Sequence, residues 1–434
     1  MLKKIFLVLL CLFMMMPLAW ASDEPDIRVG LVVKQFSAQV DSTGKIVVSG
    51  NKKLTLKPGK HFVSVKKGVL YVDDKKVGGT RLYLKADDAK NPLNLNWKTY
   101  RGSLTVQLNN DKKTLSVINT LPVEKYLYGV IAKEIIPLWP EEAVKAQVVA
   151  ARSFALYQVN NSSYEGFDVR ANDMGQVYGG IKAEHANTNK MVDATRGQVV
   201  TYNGKPIEAF FHSSSGGYTE SAANVWGNPV PYLQAVVDYD KESPQYNWDK
   251  TYEPAQLQRI LEQSGYKIGK LESIRVSALA KPPMKAADRG VSGRVKKITF
   301  RGNKGTAVIE GTKLRNILQL NSTLFDIYVG FSRPDSIEVP ILNSFGQEIG
   351  RKKIPIKTGT SKGAGSFGVT SDTRVLTGVK GEKVFIKGSG WGHGLGLSQW
   401  GARGMALKAS KKDKEYYKKI LTHYYTDTKI KKIY

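Results

Sequence analysis

The sequence predicts an α+β, strand-rich fold with a two-helix unit at its centre and a β region ahead of it. Three observations predict this. Period-2 alternation runs through "IRVGLVVK", "GKIVVSG" and "HFVSVKKGVLYVDDKKVGG" with no helical stripe. Two helical patterns stand side by side between residues 123 and 156. Strand patterns return after residue 190, in "GQVVTYNGKPIEAFFHSSSGGYTE", "RVKKITFRG" and "GTAVIEG".

Residues 1–21 read as a secretory signal peptide. Lys3 and Lys4 precede an apolar run from Ile5 to Leu18, and Ala19-Trp20-Ala21 supplies a small-x-small cleavage site. The run is too short for a stable membrane span, and no later run suits one, so no transmembrane segment is expected in the mature chain. Export to a periplasm, or to a cell wall or the extracellular space, follows. Cleavage removes Cys11, the only cysteine, so no disulfide can brace the product. It also removes two of the 65 basic residues, leaving 63 against 38 acidic ones, a net +25. Such an excess seeks a polyanion. Export excludes nucleic acid, whereas an anionic envelope polymer such as peptidoglycan fits the compartment. The single lysine runs, at 411–414 and at the basic tail 429–434, read as solvated surface.

An N-terminal β region occupies residues 22–95, its short strands broken by Gly, Asn and Asp turns. "GSLTVQLNNDKKTLSVIN" then reads as a hairpin, with Leu104, Val106 and Leu108 alternating on one arm and Leu115 and Val117 on the other. A first helix is expected from Val123 to Glu134, stopping by Ile136 because Pro137 disfavours the helical conformation ahead of it. A second starts at Pro140, with Glu141 and Glu142 in its first turn. Its Ala143, Gln147, Ala150, Ala151 and Phe154 make a close-packing face. Short helices follow near 254–264 and 312–318, with loops at 279–293 and 357–368. A last helix near 413–425 carries a stripe of Tyr416, Tyr417, Ile420, Leu421, Tyr424 and Tyr425 that reads as core.

Glu134 breaks its own helix's pattern. Leu127, Val130 and Ile131 form an apolar stripe whose next member is a carboxylate, at a helix C-terminus where the macrodipole disfavours negative charge. Dipole and apolar neighbours would both raise its pKa, which suits a general acid working near neutrality. The alternative is a helix-end carboxylate that reaches solvent or pairs with Lys133, Lys145 or an arginine. Histidine is scarce, with five in the chain. His212 and His393 sit among small residues, and no pair at helical spacing suggests zinc. Ser213, Ser214 and Ser215 lack the G-x-S-x-G elbow of a serine hydrolase, and read as a polar turn before Gly216 and Gly217. In "GSGWGHGLG", glycine fills every second position from Gly388 to Gly396. If extended, this strand has one bare face, either a wall along which a ligand slides close to the backbone or a surface packed on the second helix's alanines.

Three long motifs carry a family resemblance: "VEKYLYGVIAKEIIPLWPEEAVKAQVVAARSFAL", "FFHSSSGGYTE…W" and "GSGWGHGLGLSQWGARGMA". Together, in this order, they closely resemble the stage II sporulation protein D and amidase enhancer family, from about Asn96 to Thr428. The resemblance implies a catalytic region over 96–428 and a peptidoglycan-cleaving enzyme of the lytic transglycosylase type, with Glu134 as its acid. It implies glycan strands as substrate, with Asp173, Tyr178, His212, His393, Trp391 and Trp400 as candidate substrate-binding residues. A non-catalytic glycan-binding protein that enhances a cell-wall amidase is the alternative. A serine-dependent esterase using Ser213–Ser215 is a third reading.

One stretch departs from the family. Some members bind zinc through D-I-C-T-D…H-C-Q-A-Y, but here "DVRANDMGQVYGG" keeps Asp168, Asp173, Gln176 and Tyr178 without Cys or His. No metal and no cofactor is expected. Hydrogen bonds among Asp168, Arg170, Asp173 and Gln176 are expected to hold that loop instead.

Overall fold

The computed structural model describes residues 24–88, 90–172, 175–331, 336–342, 348–355, 371–410 and 412–434. Residues 1–21, expected to be a signal peptide, Asp173, Lys411 and the 357–368 loop lie outside these residues. The chain is α+β and divides into two compact units. One comprises residues up to Glu134 with Ala151–Thr201 and Ile430–Tyr434, and the other comprises Ile135–Ala150 and Tyr202–Lys429.

The first unit carries two large sheets. A seven-stranded sheet runs, neighbour to neighbour, from Val169–Arg170 through Asp26–Gln35, Leu115–Pro122, Ser103–Leu108, Arg81–Ala86 and Ile46–Ser49 to Leu54–Leu56. The expected hairpin lies inside it, pairing Val106 with Val117 and Leu108 with Leu115 in antiparallel register. A six-stranded sheet has Ser37–Ser42 and Gly59–Lys66 at its centre. Alternation follows burial: Ala38, Val40 and Val63 point inward, while Phe62 and Lys60 point out.

The strand Leu115–Pro122 runs directly into helix α1, Val123–Glu134. Its apolar stripe Leu127, Val130 and Ile131 is fully buried. The helix ends where Pro137 requires. Helix α2 spans Glu141–Asn161, with Pro140 just outside it, its carbonyl accepting from the amides of Ala143 and Val144. The alanine face of α2 is buried throughout.

In the second unit a three-stranded antiparallel sheet (Asn247–Tyr252, Glu382–Ser389, Phe325–Phe331) and a four-stranded sheet centred on Leu271–Arg275 and Lys297–Gly302 share one apolar core. Helices Pro254–Gln263 and Gly311–Ile317 contribute Leu257, Leu261 and Leu314 to it. The tyrosine stripe forms the helix Tyr416–Tyr424, with Tyr417, Ile420, Leu421 and Tyr424 buried. Among the described residues no helix is long and apolar enough to cross a membrane.

The glycine-alternating stretch is not an extended strand. Strand structure stops at Ser389, and Gly390, Gly392, Gly394 and Gly396 all take positive φ, from 64° to 118°. Glycine recurs there because a coiled loop needs that conformation at every second residue. The loop also has no bare face: a Cβ on Gly390 would strike Ser214 O, and one on Gly394 would strike Arg294 Nε. Neither the sliding wall nor the alanine-face packing describes it. These glycines let the loop lie directly on residues 210–216 and on Arg294.

Candidate functional site

Glu134 occupies the last residue of α1, half-buried. The amide of Val177 donates to its Oε1 at 2.8 Å, offsetting a helix end that would otherwise repel the charge. The segment carrying Val177 is clamped on both sides. Gln176 accepts a hydrogen bond from the Tyr126 hydroxyl and donates to the carbonyl of Ala151. The ring of Tyr178 lies against Gly129, where a Cβ would come within 2.6 Å of it, and the Gly179 amide donates to the Gly129 carbonyl. Tyr178 is buried and its hydroxyl donates to Asn119, so whatever it does for Glu134 it does from behind. Burial pushes its phenol far above the ordinary range.

The loop ahead of Val177 is held from outside itself. Asp168 accepts from the backbone amide and the guanidinium of Arg28, and Gln176 is bound by α1 and α2 as above. Arg170 instead lies over the ring of Tyr164 at 5.1 Å. The expected bonds among Asp168, Arg170 and Gln176 give way to these partners because the pairing of Val29 with Val169 brings Arg28 to Asp168; the part of that expectation that involves Asp173 lies outside the described residues.

At the start of α1, Glu124 and Arg152 form a fully buried bidentate pair. Tyr434 and the Gly197 amide also donate to Glu124. Burial pushes the Glu124 carboxyl up, and the charge and hydrogen bonds of Arg152 more than reverse this, so it lies below its ordinary value.

In the second unit His212 and His393 come together, ring centroids 5.4 Å apart. The network fixes opposite tautomers. His212 Nδ1–H donates to the Leu395 carbonyl, whereas His393 Nε2–H donates to the Phe211 carbonyl and its Nδ1 accepts from the Leu395 amide. Desolvation and the nearby Arg294 charge push His393 down to about 4. Burial, the His393 ring and Arg294 push His212 well below its ordinary value. Both are neutral imidazoles near pH 7.

Ser214 and Ser215 are fully buried and donate to Asp240 and Asp238 respectively, at 2.5 Å each. They build a turn, as the sequence suggests, since neither hydroxyl faces an imidazole. Asp238 and Asp240 had no signal in the sequence: "VVDYD" reads as an ordinary surface pair. The Tyr424 hydroxyl also donates to Asp238, and the Gly216 amide to Asp240. Burial and the Asp238 charge raise Asp240 to about 6.

Trp391 is half-exposed on the loop whose backbone bridges to Ser214. Trp400 packs edge-on against Trp139 at 4.7 Å, with the Arg403 guanidinium 5.3 Å from its ring. Trp139 and Arg403 are two further partners that spacing alone could not reveal. Asp173 is outside the described residues. Among those described, no three His, Cys, Asp or Glu side chains gather as a metal site.

Residues 111–202 match the family model described as stage II sporulation protein, and residues 231–333 match a domain of unknown function (DUF8618). The chain is 30% identical to an uncharacterized protein of Brachyspira hyodysenteriae over 79% of its own length and 75% of that protein. It belongs to the stage II sporulation protein D family. It is similar to the stage II sporulation protein D of Bacillus subtilis, 29% identical over 72% of this chain and 75% of that one. It is also similar to the amidase enhancer of Bacillus subtilis, 31% identical over 85% of this chain, although the match spans only half of that longer protein. The stage II sporulation protein match contains α1, α2, Glu134 and the Val177 clamp. The second match contains Asp238, Asp240 and Arg294. His212, His393 and the two tryptophans fall outside both matched spans.

Proposed function

We propose that this chain is an exported, cell-wall-acting peptidoglycan lytic transglycosylase. It cleaves between N-acetylmuramic acid and N-acetylglucosamine, with Glu134 as both acid and base. The observation that carries the reading is Glu134 itself: a half-exposed carboxylate on the final turn of a helix, held by the Val177 amide, inside the family-matched span.

One carboxylate suffices for this chemistry. Retaining glycosidases generally use an acid and a second carboxylate that attacks C1, after which water completes the reaction. In a lytic transglycosylase the muramoyl 6-hydroxyl takes the place of water. Glu134, protonated, gives its proton to the leaving glycosidic oxygen as the bond to C1 breaks. The resulting carboxylate then accepts the proton of the 6-hydroxyl as that oxygen attacks C1, closing the 1,6-anhydro ring and restoring the acid. Trp391 and Trp400 offer apolar faces to sugar rings. Tyr178 braces the segment behind Glu134, and Asp173 is a further candidate for stabilising the oxocarbenium; His212 and His393 are candidate glycan-binding residues of the second unit.

Digestion of purified peptidoglycan tests the reading. Wild type yields 1,6-anhydromuramoyl ends, and Glu134→Gln lowers the rate by about 10²–10⁴-fold while leaving glycan binding intact. A second reading is favoured by the similarity to the amidase enhancer: a glycan-binding protein that stimulates a cell-wall amidase. Stimulation of such an amidase equally by wild type and Glu134→Gln, with no anhydro ends from either, would select it.

A further inference from the structure

A cavity of about 280 Å³ opens in the second unit, and Glu134 takes no part in it. Trp226 stands on its wall, 45% exposed, its ring braced edge-on by Phe210 at 4.6 Å. Lys296 and Lys297 line the same cavity. So does Arg294, which is 2% exposed. Its guanidinium donates only to main-chain carbonyls, Ser215 O at 2.8 Å and Gly392 O at 3.4 Å, and its Nε has no partner. Among the described residues no carboxylate stands within ion-pair distance of it. Burial lowers its pKa only to about 10, so it keeps its charge.

Two carboxylates also line the cavity and must be weighed. Glu220 is buried and already accepts from the amides of Ser221, Val291 and Ser292, the Ser292 hydroxyl and Asn224. Those bonds shape the wall, and its charge acts on Arg294 through space without a direct bond. Glu310 is exposed and sits opposite Lys297 across the sheet, whereas Lys296 has no ion pair among the described residues, and the buried Arg294 feels Glu220, Asp240 and Asp238 only through space. A buried cation without an ion-pair partner is costly, and an incoming anion relieves that cost.

We propose that this cavity binds a saccharide unit bearing a carboxylate, with the sugar face on Trp226 and the carboxylate toward Lys296 and Lys297. Arg294, pinned behind the wall by Gly394, contributes its field and not a direct hydrogen bond. An indole offers a large apolar face to a sugar ring, and lysine ammoniums make charge-assisted contacts to a carboxylate. That the ligand is a sugar rests on the glycan reading above; that it is anionic rests on the cavity alone. In peptidoglycan the carboxylate comes either from the lactyl group of a bare muramoyl unit or from an attached peptide.

Three probes distinguish these on the full chain labelled at its indole nitrogens, with the Trp226 signal assigned by Trp226→Phe. N-acetylmuramic acid carries the lactyl carboxylate, muramoyl dipeptide carries peptide carboxylates, and N-acetylglucosamine carries none. One or both anionic probes shift the Trp226 signal, and the tighter of the two names the source. N-acetylglucosamine binds roughly tenfold more weakly, and so do the anionic probes to Lys296→Gln. Equal binding of all three sugars would overturn the carboxylate claim. No shift with any probe, in a protein that still makes Glu134-dependent anhydro ends, would overturn the site and spare the catalytic reading. A Trp226 site without cleavage would do the reverse.

Discussion

At the scale of the residue, the segment that holds Glu134 packs with no room to spare where Tyr178 meets Gly129. Gly129→Ala pushes a methyl group into the Tyr178 ring and displaces the segment that carries Val177. It should cost about 1–3 kcal/mol, measured by chemical denaturation, and lower cleavage further than that loss explains. Glu134 was legible in the sequence because a carboxylate interrupts an apolar stripe. Its Val177 donor was not, since a main-chain amide 43 residues away leaves no mark in composition or spacing. The imidazoles give a second prediction. Nitrogen-15 spectra at pH 6 should show both His212 and His393 neutral and in opposite tautomers, with His393 titrating near 4. A charged imidazolium at pH 6 in either position would contradict the burial that the fold imposes.

At the scale of the element, two buried polar assemblies hold the parts in place. Arg152→Met strands Glu124 as an unpaired buried carboxylate at the start of α1, and should destabilise the protein by about 3–5 kcal/mol in denaturant titrations. The second assembly is the turn at Ser214–Gly216 on Asp238 and Asp240. Asp240 has a folded-state pKa of about 6 against an ordinary 3.8, so the folded state holds its proton more tightly. Its contribution to stability is therefore full below 3.8 and is lost as pH rises through 6. His393 works in the opposite sense. Its pKa falls from 6.5 to about 4, so its contribution is lost on acidification. Asp240→Asn separates the two: its melting temperature relative to wild type should rise between pH 4 and 7, by up to the equivalent of about 3 kcal/mol. The limits of α1, the hairpin and the buried tyrosine stripe were legible here because each follows from periodicity or a proline. The glycine loop was misread, because alternation marks a strand only when side chains, not φ angles, set the period.

At the scale of the whole molecule, the strong positive charge visible in the sequence has a direct consequence. Binding to intact peptidoglycan should weaken steadily as salt rises from 50 to 500 mM (roughly 14 to 4 Å of screening length), while neutral chito-oligosaccharides bind with little salt dependence. The α+β class and the order of helices and strands were readable from pattern and resemblance. The two-unit division was not, because α2 passes from one unit to the other at Ala150–Ala151 without any break in its helical pattern. Central to the whole account is that Glu134 drives an internal attack and not hydrolysis. Digestion of peptidoglycan in oxygen-18 water, followed by mass spectrometry of the new muramoyl ends, tests this most directly. The account predicts unlabelled 1,6-anhydro ends that vanish with Glu134→Gln. Reducing ends carrying oxygen-18, or anhydro ends that persist in the variant, would contradict it.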